Sequence, residues 1–352
     1  MKKNSKKSIK EKSKEDSKEK DTYNGPRKDK IGLDNLDKRL LFELDKDASQ
    51  SFSTLGKKLR KSVPAIEYRI NNLIEKGIIK SFIALIDYKG LGYTNYFLYW
   101  ALRNMTPKKE DEIVEFLKKI PNVNGVFRCD GAWELFVGIL AKDVFELNEI
   151  LAKIKEELGG HMDREAFTVH TGAWHFRRNY LVPEEKREII EYIPITGGKV
   201  ETAETDKKDL KILSILKDGG RLSSVEVAQK AKLTPDIVRY RINKLKKDNI
   251  LIGAIFLPNY KNYYLFNRIL LKIKHLSKEN EKELFNYLNA LPNIFRVIKT
   301  IGAYEIVIDG EFEDVDSFRK MLFELRSKFY SVIVYYDVLT IREGDKSSYF
   351  IG

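Results

Sequence analysis

Tyr68-Arg69-Ile70-Asn71 returns, residue for residue, as Tyr240-Arg241-Ile242-Asn243. The offset of 172 residues (68 to 240) holds without a gap around this stretch. Asp34 answers Asp206, Asp37 answers Asp209, Leu41 answers Leu213, Leu73 answers Leu245 and Tyr88 answers Tyr260. Farther on the match resumes one residue out of step, with Gly131-Ala132-Trp133-Glu134 answered by Gly302-Ala303-Tyr304-Glu305. Solenoid repeats run about 20–50 residues, so self-similarity of this length describes a whole unit written twice.

Each unit opens on a helical pattern. Leu36, Leu40, Leu41 and Leu44 share one helix face, with Asp34 placed as N-cap. A second short helix presents Leu55 and Leu59. Ser62 and Pro64 then open a third, in which Ile66, Ile70 and Leu73 turn inward. Three helices with so short a final turn have the spacing of a helix-turn-helix. The outward positions of the third helix then include Ala65, Tyr68, Arg69 and Asn72, with Ser62 at its entrance. The matching helix of the second copy offers Asp236, Arg239, Tyr240, Arg241 and Lys244 after Thr234. Arg and Asn on an exposed helix suit base edges in the major groove, so these residues are expected to contact double-stranded DNA. The competing reading pairs Arg69 and Arg241 with carboxylates inside their own units. The second helix is the more basic, while Glu67 in the first is unfavourable beside phosphate.

Beyond each helix-turn-helix the order is strand-helix-strand-strand-helix-strand, a ferredoxin-like βαββαβ arrangement. The fold class is therefore α+β: two copies of a winged-type helix-turn-helix plus a ferredoxin-like domain. Expected boundaries are a Lys-rich disordered tail over 1–32, units at 33–82 and 83–182, a linker at 183–204, and units at 205–254 and 255–352. A small sheet covered by helices on one face needs a partner for the other, so the copies are expected to pair face to face within the chain.

Composition narrows the classes. A net charge of +12 and pI near 9.3 favour a polyanionic partner. The single cysteine, Cys129, excludes an intrachain disulfide framework and fits a reducing cytoplasm. No apolar run reaches membrane-spanning length, and histidines at 161, 170, 175 and 275 lack metal-ligand spacing. Neither cofactor nor metal is expected.

The stretch from Leu33 to Leu41, and Ile66 through Tyr68-Arg69-Ile70-Asn71 to Ile79, followed by βαββαβ, resembles the Lrp/AsnC (feast/famine) family of transcriptional regulators. The tandem copies and His175-Phe176-Arg177-Arg178 look like an archaeal form. The resemblance implies a regulator rather than an enzyme, pairing of βαββαβ domains, further homo-oligomers, and a small effector such as an amino acid. The family's effector turn maps onto Gly131, Trp133 and Glu134, and onto Gly302, Tyr304 and Glu305, with Glu where the family has Asp. Siroheme decarboxylases resemble the same pattern. That alternative would use His170, His175, Arg177 and Arg178 toward tetrapyrrole carboxylates.

Overall fold

The computed structural model describes residues 32–191, 195–200, 202–261, 263–274 and 277–351. The expected tail, apart from Gly32, lies outside the described residues, as does His275.

In the first copy α1 (Asn35–Lys46), α2 (Phe52–Leu59) and α3 (Val63–Glu75) form the three-helix unit. Asp34 caps α1 in a capping box with Asp37, and Ser51 caps α2. Leu40, Leu41, Leu44, Leu55, Ile66 and Leu73 are all fully buried, which is the apolar face the spacing predicts. The second copy repeats this with α6 (Lys207–Leu216), α7 (Ser224–Ala231) and α8 (Pro235–Lys247). Arg60 and Lys232, mates at the same offset, both close their second helix in the left-handed region.

A strand leaves each unit, β1 (Ile79–Ile86) and β6 (Leu251–Pro258), and the two pair antiparallel. Ile83 faces Ile255, its own mate across the duplication, so a pseudo-two-fold axis passes between them.

The βαββαβ parts are β2 (Thr94–Leu102), α4 (Pro107–Lys119), β3 (Val123–Gly131), β4 (Leu135–Ala141), α5 (Val144–Leu158) and β5 (Met162–His175). Their mates are β7 (Leu265–Ile273), α9 (Lys278–Ala290), β8 (Ile294–Gly302), β9 (Ile306–Phe312), α10 (Val315–Lys328) and β10 (Ile333–Ser347). The copies do pair, but not as two separate sheets laid face to face. Their edges also join, β5 to β8 and β10 to β3, closing one barrel in the order β10-β3-β4-β2-β5-β8-β9-β7. Both last strands are longer than the sequence pattern suggests, and the extra length makes these seams. Closure removes the exposed sheet edges.

The seams obey the same axis. Thr168 pairs with Gly302 while Leu339 pairs with Gly131, and each pair is the other's mate. This explains the two turn glycines. Gly131 has φ +125° and a Cβ there would lie 2.2 Å from the Val338 carbonyl oxygen; at Gly302, φ +131°, it would lie 2.5 Å from that of Phe167. The neighbouring copy's strand passes too close for any side chain. Outside the barrel, helices α4 and α5 cover one apolar cluster, and α9 and α10 a second. The inner faces of both copies share a third, including Phe97, Tyr99, Phe136, Leu270 and Phe295.

Residues 183–204, expected to link the copies, do not hang free where described. Ile195 N–H donates to the Ala173 carbonyl at 2.7 Å, and Ala173 N–H donates to that of Thr196 at 2.8 Å. This segment lies along β5.

Candidate nucleic-acid interface and interior cavity

On α3 and α8 the same geometry appears twice. Tyr68 and Tyr240 are each 71% exposed. Ser62 stands at the entrance of α3 without a side-chain capping bond, whereas Thr234 Oγ1 accepts from Ile237 N–H at 3.4 Å. Ala65 and Asn72 are half-buried, and Asn71 and Asn243 are exposed. Asp236 and Arg239 pair with each other on the solvent side of α8. Lys244 Nζ donates to the Glu204 carbonyl at 2.9 Å.

Arg69 and Arg241 behave differently from the open tyrosines. Arg69 Nη1 reaches Asp34 and Asp37 at 2.7 Å each, and Arg241 Nη1 reaches Asp206 at 2.7 Å and Asp209 at 2.9 Å. The carboxylates are the capping-box residues of α1 and α6, so each arginine staples its outward helix to the start of the first. Burial works against the Asp34 carboxylate, but the backbone bonds of the cap and Arg69 bring it below its ordinary range. Of the two readings of these arginines, the pairing inside their own units is the one observed.

Among the described residues, other exposed cations lie elsewhere on these units. Lys246 and Lys247 on α8 are exposed, as are Lys57, Arg60 and Lys61 around the first turn and Lys230 and Lys232 around the second. The turn residues carry no helical periodicity, which is why pattern reading passed over them.

The effector-turn residues close on themselves. Trp133 Nε1 donates to the Tyr304 hydroxyl at 3.1 Å, a bond between mates, and Tyr304 bonds Asp337. Glu134 accepts from Leu102 N–H at 2.9 Å and Glu305 accepts from Ile273 N–H at 2.7 Å, again as mates. Their polar atoms are engaged in joining strands.

A second site lies between the barrel and the β1–β6 ribbon, a cavity of about 430 Å³. His170, His175, Arg177 and Arg178, which the tetrapyrrole reading singled out, all line it. Arg178 bonds Asp45 of α1 and Glu311 of β9, the latter through Nε at 2.8 Å, and sits over the Phe256 and Phe295 rings. Arg268 holds Asp309 through two bonds of 2.7 and 2.9 Å, and Arg296 shares the same carboxylate at 2.6 Å. Burial opposes ionisation of Asp309, yet the two arginines draw its pKa below the usual range. His170 and Tyr88 are hydrogen-bonded. Burial first, then Arg296, lowers both His170 and His175 to about 3, so both imidazoles are neutral near pH 7. Sequence reading missed Arg268 and Arg296, although a comparison of mates would have found them: they stand where the first copy has Phe97 and Gly125.

Paired three-helix units on one shared barrel, each offering an exposed outward helix, define a two-headed helix-turn-helix protein. A winged helix-turn-helix DNA-binding family model matches residues 33–80 and 205–252. An HTH-type transcriptional regulator of Pyrococcus furiosus is 35% identical over 132 residues, 36% of this chain and 86% of its own. Transcriptional regulator AzlB of Bacillus subtilis is 38% identical over 117 residues, 32% of this chain and 73% of its own. Each relative thus matches about one copy's length. The chain belongs to the Lrp/AsnC family of helix-turn-helix transcriptional regulators. The crystal structure of the siroheme decarboxylase NirDL has the same two-copy fold, with TM-score 0.57 and 14% identity over 90% of this chain and 94% of that one.

Proposed function

We propose that the chain is a cytoplasmic, sequence-specific regulator that holds double-stranded DNA through α3 and α8. The observation that carries this reading is the pair of outward helices whose mates Tyr68 and Tyr240 are equally exposed. Tyr68, Asn71 and Asn72 on one helix, and Tyr240, Asn243, Lys244 and Lys246 on the other, would contact bases and phosphates. Ser62, Ala65, Thr234, Asp236 and Arg239 would line the same faces. Arg69 and Arg241 act as staples that hold each helix at its angle. Mates on the pseudo-two-fold would meet successive major grooves. Because α8 is the more basic, the two half-sites would be unequal. Fluorescence anisotropy on operator fragments tests this. The combined Tyr68→Ala, Asn71→Ala, Tyr240→Ala and Asn243→Ala variant should bind at least about tenfold more weakly. Unchanged affinity in a folded variant would refute it.

A second reading is favoured by one observation: His170, His175, Arg177 and Arg178 converge on the interior cavity. In that reading the cavity takes a tetrapyrrole; the structurally similar NirDL has a crystal structure in co-complex with an iron-uroporphyrin III analogue. A carboxylate would leave as CO₂ and a proton would take its place. Both imidazoles are held neutral, which suits them to accept a hydrogen bond or meet a metal better than to act as acids near pH 7. Mixing the protein with siroheme decides: bound chromophore with CO₂ release supports an enzyme, and bound chromophore without it supports a binding site alone.

A further inference from the structure

The two outward helices agree at some surface positions and differ at others. Tyr68 and Asn71 return as Tyr240 and Asn243, and all four are exposed. The position beside them inverts its charge, because Glu67 on α3 answers Arg239 on α8. Each is the fifth residue of a helix of 13, so each falls in the N-terminal half, the part of a recognition helix that meets base edges. Glu67 and Asn71 are four residues apart and share one stripe of α3, as Arg239 and Asn243 share one stripe of α8.

Neither charged side chain is engaged in packing its own unit. Glu67 is exposed, and among the described residues no hydrogen bond or ion pair holds its carboxylate. The Arg239 side chain is 62% exposed, and its ion pair is with Asp236, one turn earlier and itself 86% exposed. Pro64 stands at the mate of Asp236 and has no side-chain acceptor, so this Asp–Arg pair belongs to the second unit alone. Asp236 takes Nη2 of the guanidinium, which fixes its direction and leaves its other N–H groups toward solvent.

The major-groove edge of each base has a polarity that these charges can read. Guanine presents two acceptors, N7 and O6, to which arginine donates twice, while cytosine presents the N4 amino donor, which a carboxylate accepts. A carboxylate over guanine meets two acceptors with nothing to donate. A guanidinium over the cytosine amino group meets a donor and cannot accept. Selection therefore works by repulsion as well as attraction. Beside phosphates an acid weakens binding to any duplex, and Glu67 does so least where a cytosine amino group faces it. Its effect is on discrimination rather than on affinity.

We propose that Glu67 and Arg239 are the residues that make the halves of the operator differ. At the equivalent position the first half-site carries cytosine and the second carries guanine. The bases under the Tyr and Asn mates are shared, with adenine under Asn71 and Asn243. Asp236 is a positioning residue for Arg239. The inference rests on the DNA-binding reading of α3 and α8. A bidentate contact of the Arg–guanine kind discriminates about 5–150-fold, and the Glu–cytosine contact belongs at the lower end of that range.

The test titrates the full chain by fluorescence anisotropy against a selected operator in which each position is changed in turn to all four base pairs. The unsubstituted protein should prefer cytosine in one half, and guanine at the matching position of the other, by at least about fivefold. Glu67→Arg should move the first preference to guanine and leave the second alone. Glu67→Gln, which keeps the shape of the side chain, should move it to adenine. Arg239→Ala should erase the guanine preference only, and Asp236→Ala should reduce it without changing the melting temperature. The same base preferred in both halves by the unsubstituted protein would overturn the proposal. So would a cytosine preference that survives both substitutions of Glu67. So would an Arg239→Ala variant weakened equally on all four base pairs with a salt slope lower by about one unit, the signature of a phosphate contact. A chain that binds no duplex, or binds all sequences alike, would instead sink the DNA reading itself.

Discussion

At the scale of single residues, exposure and pairing divide side chains that sequence alone placed together. Tyr240 and Arg241 are neighbours on α8, but Tyr240 faces solvent while Arg241 is tied to Asp206 and the buried Asp209. Tyr240→Ala should weaken DNA binding and leave the melting temperature unchanged within about a degree. Arg241→Ala should lower it by about 2–4 °C, because Asp209 loses its counter-charge. Calorimetry beside a binding titration separates the two. His170 and His175 make a pH prediction. Each titrates near 3 when folded, against about 6.5 when unfolded, so the unfolded chain binds more protons between those values. Stability contributed by the neutral imidazoles is complete above pH 6.5 and is lost as pH falls toward 3. Urea unfolding between pH 6.5 and 5 should show that slope, and His175→Phe should flatten it. The apolar faces were legible residue by residue, since Ile66, Ile70 and Leu73 need only the helical period. The arginine staples were legible only as one of two readings, without their partners, because those partners lie about one helix-turn-helix length away in sequence.

At the scale of elements, the two outward helices are unequal partners. Helix α8 ends on Lys244, Lys246 and Lys247, whereas α3 has no basic residue in its last turn and carries Glu67. Removing Lys246 and Lys247 should reduce the slope of log affinity against log salt by about one unit each, if each meets a phosphate. Glu67→Lys should strengthen binding and steepen the slope. Helix bounds such as Pro107–Lys119 and Val144–Leu158 could be read from caps and periodicity alone. Strands β5 and β10 could not be read to their full length. Their outer portions pair with the other copy, and nothing local marks a seam made with residues about 120 or more positions away.

For the whole molecule, the duplication is the central fact and closure of one barrel is its consequence. Trp133 and Tyr304 meet on the axis, and neither copy has a complete interior without the other. Tryptophan fluorescence arises only from Trp100, Trp133 and Trp174, so it reports the first copy and the seam strand β5. Its unfolding midpoint in urea should coincide with that of the whole sheet signal in circular dichroism; separate midpoints would mean the copies fold apart. The sequence pattern foretold that the copies pair, because a half-covered sheet demands it. It did not foretell the cavity, which arises where the copies' residues diverge. The claim on which the rest depends is that both helix-turn-helix units grip one duplex. A hydroxyl-radical footprint on a selected operator tests it most directly. Two protected patches should appear on one face of the DNA about one helical turn apart, with Tyr68→Ala/Asn71→Ala weakening one and Tyr240→Ala/Asn243→Ala the other. A single patch, or a footprint that neither pair of substitutions alters, would contradict it.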